Sequence, residues 1–117
     1  MTLQAFKADL FKALSHPTRI RILELLRFGE LSVSELQVRL GIEASSVSQQ
    51  LAILRGRQIV AGRKEGTTVY YQVTDPLVFE LLDVARAMFD RHVLALQALA
   101  EENAEDGMAV TNGGDPA

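Results

Sequence analysis

The chain has 117 residues, 48% hydrophobic and 23% charged, with no cysteine and a net charge of −3. That length favours one domain with a modest core. The lack of thiols excludes disulfides, thiolate metal sites and thiol redox switching within the chain, and fits a cytoplasmic protein. The N-terminal MTLQAFKADL has no basic start followed by an apolar run, so it is no secretory signal. No stretch reaches the ~18 apolar residues of a membrane span, so no membrane association is expected. Charge is spread unevenly. Residues 1–74 hold ten Lys/Arg and six Asp/Glu, a net of +4, and residues 75–117 hold two Arg and nine Asp/Glu, a net of −7. A basic front suits a polyanionic partner, although an acidic tail alone supplies much of the difference.

Leu3, Phe6, Leu10, Ala13 and Leu14 recur at helical spacing and predict an amphipathic helix over 3–14. Ser15-His16-Pro17-Thr18 breaks it, with His16 expected in the loop and Pro17 in the first turn of a second helix over 17–28. Gly29 ends that helix. In LSVSEL (31–36), Ser32 and Glu35 have the spacing of a capping box, flanked by a Leu31–Leu36 staple. They open a short third helix, Val33 to Leu40, stopped by Gly41. A fourth runs from about Ala44 to Arg55 or Gly56 with Ala44, Val47, Leu51 and Leu54 inward. Two short helices joined by a Gly41-Ile42-Glu43 turn make a helix-turn-helix, whose second helix enters the DNA major groove.

Residues 59–73 leave the helical period. Val69, Tyr71 and Val73 alternate with Tyr70 and Gln72, which predicts a strand. Ile59 to Arg63 is its expected partner, and Lys64-Glu65-Gly66-Thr67 the hairpin tip. A hairpin with basic residues near its tip, directly after a helix-turn-helix, makes a winged helix. Asp75 as N-cap and Pro76 at the first helical position open a last helix to about Glu102. Its apolar residues cover most of its girth, so it needs two surfaces, its own domain and a second copy. The expected domain is 1–102, and residues 103–117, without period and rich in small and polar residues, are expected to be disordered.

FKALSHPTRIRILELL (11–26), ELSVSEL (30–36), VSQQLAIL (47–54) and EGTTVYYQV (65–73) together resemble the ArsR/SmtB family of bacterial winged-helix repressors, over roughly residues 5–100. The resemblance implies a mainly α fold with a small β-hairpin, in the order α-α-α-α-β-β-α. It also implies a homodimer through the first and last helices, and repression at an inverted-repeat promoter operator in double-stranded DNA, relieved by an inducer. Carried over by position, the DNA-facing residues are Ser45, Ser46, Ser48, Gln49, Gln50 and, on the wing, Arg63, Lys64 and Thr67. Gln49 can offer its amide to adenine, and serines can contact bases or phosphates. The bland alternative is an ordinary exposed helix face. Two departures stand out. Glu43 replaces the usual Ser or Thr at the start of the fourth helix, and Gln50 replaces a common histidine, at a position that suits supporting the helix. The expected dimer contacts are Phe6, Leu10, Leu81, Val84, Ala85, Met88 and His92.

The family's metal positions are not matched. The paired cysteines of one site correspond to Ser32 and Ser34, whose hydroxyls do not ionise at neutral pH to replace thiolates. The four positions of the other correspond to Asp75, Leu77, Met88 and Arg91, and only the carboxylate remains. Asp90-Arg91-His92 is no substitute, because residues two apart on a helix point to different sides. No metal and no cofactor are expected. The alternatives for the signal are an unknown small molecule between the first and last helices, where Phe6, Phe11, Met88 and Phe89 either line a pocket or form dimer core, a partner protein, the protein's own abundance, or none. A winged helix that binds protein and not DNA is the rival reading. An enzyme is not expected, since there is no phosphate loop, no cysteine and no paired histidine.

Overall fold

The structure, a computed structural model, describes residues 1–113, with side chains through residue 106. The elements are α1 (Leu3–Ala13), α2 (Pro17–Leu26), β1 (Leu31–Ser32), α3 (Val33–Leu40), α4 (Ala44–Gly56), β2 (Val60–Glu65), β3 (Thr68–Val73) and α5 (Leu77–Gly113). The sequence-based order therefore holds, with one addition. Leu31 and Ser32 form a short strand pairing antiparallel with Tyr71 and Tyr70 of β3, so the sheet has three strands in the order β1-β3-β2. Two residues are too few for a period-2 pattern to show in a sequence.

Local chemistry sets each boundary. The Thr2 hydroxyl accepts from the Ala5 N–H at 3.0 Å and starts α1. His16 is not a plain loop residue: it is the N-cap of α2, and its Nδ1 accepts from the Thr18 N–H at 3.1 Å ahead of Pro17. At α3 the capping box is complete. The Ser32 hydroxyl accepts from the Glu35 N–H and the Glu35 carboxylate accepts from the Ser32 N–H, each at 3.2 Å. Leu31 and Leu36 are both buried beside it. Gly41, at φ 68°, closes α3 in the left-handed conformation that costs glycine nothing. Replacing Ser32 with alanine removes a cap from a helix whose start is buried. We expect a loss of about 1 kcal/mol, read as a lower denaturation midpoint; an unchanged midpoint would refute the capping role.

The wing is tighter than the sequence suggests. Pairing runs out to Glu65 and Thr68, leaving only Gly66 and Thr67 as the loop. Gly66 has φ 62° and Thr67 does not share its sign, the two-residue pattern whose twist matches antiparallel strands. Gly62 is a second point of need. A Cβ there would lie 2.9 Å from Val69 Cγ1, a stiff branched neighbour on the paired strand.

The chain forms two compact units, Met1–Glu80 and a second from Leu81 onward. The core belongs to the first unit. Ile22, Leu23 and Leu26 of α2, Leu36 and Leu40 of α3, and Val47, Leu51 and Leu54 of α4 are buried together with Ile59, Val60 and Val78. Ala44, expected inward, is exposed at the first position of α4. The helix has made no full turn there and the chain is still arriving from the Gly41 turn. The second unit is helical. It leaves Val84, Met88, Phe89, Leu94, Leu96 and Leu99 exposed. The helix also continues past the expected end at Glu102 to Gly113. Ala104 and Glu105 are good helix formers, but Asn103, Asp106 and Gly107 are poor ones, so local propensity does not explain the extension. Residues 114–117 of the expected disordered tail lie outside the described residues. No helix of the described residues is long and apolar enough to cross a membrane.

Candidate nucleic-acid interface

On α4 the buried Val47, Leu51 and Leu54 fix which face points away from the core. Ser45, Ser48, Gln49 and Ala52 lie exposed on that outer side, and Ser46 is half-buried at its edge. The helix starts at Glu43, whose side chain makes no capping hydrogen bond. This fits a carboxylate one methylene too long to fold back as Asp does. Gln49 is exposed, so both ends of its amide are open to a base edge.

Gln50 is placed differently from its five companions. It is half-buried, and its Oε1 accepts from Arg19 Nη1 at 3.0 Å. Arg19 Nε also donates to the Ala13 carbonyl at 2.6 Å, and its Nη2 to the Lys12 carbonyl at 3.4 Å. One guanidinium thus caps the C-terminal end of α1 and holds a side chain of α4. Because Arg has donors only, the atom facing it must be the amide oxygen, and Gln50 Nε2 is turned away. The sequence reading misses Arg19. The available signal is a fork of donors placed six residues after the last carbonyls of a helix.

The wing is also rearranged. Arg63 does not stand free at the hairpin. Its Nε donates to Glu30 Oε2 at 3.2 Å, its Nη2 to Glu30 Oε1, and its Nη1 to Glu65 Oε2 at 3.0 Å. Its guanidinium carbon lies 5.3 Å from the Tyr70 ring centroid. The hydrogen bond from Arg63 holds the Glu30 carboxyl below the usual carboxylate range, and the two carboxylates push the guanidinium's pKa up. Lys64 and Thr67 are exposed. Among the described residues Lys64 has no carboxylate partner.

The expected dimer residues fall in the two units. Phe6 is 51% exposed and Leu10 half-buried in the first; Leu81 is half-buried and Val84, Ala85, Met88 and His92 are exposed in the second. The positions matching the family's metal sites are otherwise employed. Ser32 caps α3 and Asp75 Oδ1 accepts from the Leu77 N–H at 3.0 Å, while Asp90, of the rejected Asp90-Arg91-His92 alternative, pairs with Arg86 at 3.1 Å. Among the described residues no three His, Asp or Glu side chains are grouped to hold a metal ion.

Comparison with known proteins agrees with this arrangement. A family model described as bacterial regulatory protein, arsR family, matches residues 16–61, from the N-cap of α2 into β2. The uncharacterized HTH-type transcriptional regulator Rv0081 of Mycobacterium tuberculosis is 43% identical over 108 residues, spanning 92% of this chain and 95% of its own. Its crystal structure matches with a TM-score of 0.71 at 45% identity, covering 80% of this chain and 94% of that one. The homodimeric winged helix-turn-helix DNA-binding domain Mb0332 of Mycobacterium bovis matches with a TM-score of 0.70 at 31% identity, covering 78% and 84%. The transcriptional repressor BigR of Xylella fastidiosa matches with a TM-score of 0.66 at 34% identity, covering 76% and 97%. The capping box, the glycine turn, the two short helices and the wing are thus the parts of a known reading head, and the chain belongs to the ArsR family of bacterial transcriptional regulators.

Proposed function

We propose that the protein is a homodimeric repressor that binds an inverted-repeat operator in double-stranded promoter DNA and answers to a signal other than a thiolate-bound metal. The observation that carries this reading is the outer face of α4. Ser45, Ser48 and Gln49 stand exposed on a helix whose opposite side is locked in the core, directly after the Gly41 turn. Ser46, Lys64 and Thr67 complete the set of contacts. The named relatives include a repressor and a homodimeric DNA-binding domain, and the absence of cysteine removes the thiolate chemistry. A mobility-shift assay with the DNA upstream of its own gene tests the reading. Binding no tighter than to random duplex at physiological salt would sink it.

Gln49 is assigned the base contact. Its replacement by alanine is expected to cost about 1–3 kcal/mol of discrimination at one operator position, while affinity for random duplex stays the same. Binding to a set of single-base operator variants reads this directly, and an unchanged preference at every position refutes it.

A protein-binding winged helix is the second reading. It is favoured by the wing's charge: the carboxylates of Glu30 and Glu65 balance Arg63 and Lys64, so the wing is not net basic. The same assay separates the two, since a protein-binding module shows no salt-dependent preference for any duplex.

A further inference from the structure

We propose that Arg63 is a positioning residue, a strut that fixes the wing against the entry of α3, and that Lys64, not Arg63, makes the wing's charged contact to phosphate. This rests on the DNA-binding reading above. The sheet register carries the first part. Ser32 is paired with Tyr70, and Tyr70 with Arg63. Directly paired residues share a face, so these three form one row across β1, β3 and β2. Arg63 lies along that row over the Tyr70 ring and reaches Glu30, two residues before Ser32. Ser32 is the cap of α3. The contact therefore runs from the wing to the segment that leads into the cap of the helix-turn-helix.

The donor count carries the second part. A guanidinium has five N–H groups. Three of those on Arg63 are spent on carboxylates, two of them in a fork on Glu30. A phosphate at Arg63 would meet only the two remaining N–H groups, beside two carboxylates that already offset the guanidinium's charge. An isolated exposed ion pair does little, but forked geometry, a stacked ring and a second carboxylate are the exceptions to that rule. Lys64 follows Arg63 in β2, so its side chain leaves from the opposite face, away from Glu30 and Glu65.

The test uses the full chain and a duplex enriched from a randomised pool by the unmodified protein. Dissociation constants are measured from about 50 to about 300 mM NaCl, a range that brackets the 0.1 M at which the Debye length is ~10 Å. Lys64→Ala is expected to flatten the slope of log affinity against log salt by about 0.9. Arg63→Met and the charge-conserving Arg63→Lys are both expected to weaken binding roughly tenfold with the slope unchanged. Glu30→Gln is expected to weaken binding as well, although removing a negative charge should by electrostatics alone tighten it. Melting curves confirm that each variant is folded. The proposal is overturned if Arg63→Met flattens the slope by about one, if Arg63→Lys binds like the unmodified protein, or if Glu30→Gln binds more tightly. If the pool yields no enriched duplex, the DNA-binding reading fails, and the strut is decided without DNA. The Arg63 Nε–H resonance should be slow to exchange with solvent in the free protein, and should become fast in Glu30→Gln; fast exchange in both refutes the strut.

Discussion

Replacing Leu51 by alanine is expected to destabilise the protein by about 2–5 kcal/mol, more than any polar substitution on the same helix. Leu51 is 1% exposed, between Val47 and Leu54 on the inner side of α4. Its removal takes away apolar burial and leaves a void in the core. Domains of this size have only about 5–15 kcal/mol in total, so the midpoint of thermal unfolding should drop by on the order of 10 °C or more. Leu51→Met, which keeps the volume, should cost less than about 1.5 kcal/mol. A fall of only a degree or two for the alanine variant would show that α4 is not seated on this core. DNA affinity at a temperature where the variant remains folded should change little, since Leu51 faces away from the outer surface.

Met88→Glu is expected to convert a dimer into monomers and to reduce operator affinity by about a hundredfold or more. In the second unit Val84 is 58%, Met88 65% and Phe89 59% exposed, an apolar surface with no cover of its own. Two-fold symmetry brings the same patch in from both copies, so one substitution places two like charges at the seam. Each desolvated charge costs several kcal/mol when unpaired. Sedimentation at micromolar concentration reads the mass, and titration of an inverted-repeat duplex reads the lost second half-site. A stable dimer with unchanged affinity would show that α5 does not form the seam at Met88. Met88→Leu should leave both measurements as they were.

Much of the fold was legible because its signals are short-range. Ser32 and Glu35 three apart, glycine at 41 and Pro17 after a break each state a boundary in a few residues, and each is found where expected; Asp75-Pro76 is displaced by one, since α5 begins at Leu77, after Pro76, although Asp75 still accepts from the Leu77 N–H. What was not legible depends on partners distant in sequence. Arg63 reads as a free cation beside Lys64, because nothing in the hairpin says that Glu30, thirty-three residues earlier, arrives at its guanidinium. Arg19 and Gln50 are thirty-one apart, and their contact exists only once α2 crosses α4. Ala44 looked apolar and inward on a helical wheel, but a wheel does not register that a first turn has no neighbour to bury against. The end of α5 lies beyond the expected Glu102, at Gly113, in a stretch whose small and polar residues carry no helical period.

The two-residue loop at Gly66 and Thr67 also gives the wing a fixed length. Six paired residues at about 3.4 Å each make an arm of about 20 Å, and nothing at its tip is long enough to extend or retract it. On the proposed DNA-binding reading, the arm acts as a ruler between the groove assigned to α4 and the phosphate assigned to Lys64. Its graduations come in pairs. Adding one residue to each strand between Arg63 and the tip moves Lys64 outward but turns it to the other face, whereas adding two to each strand restores the faces and lengthens the reach. Operator spacing in relatives of this protein should therefore change in steps that follow even changes in wing length.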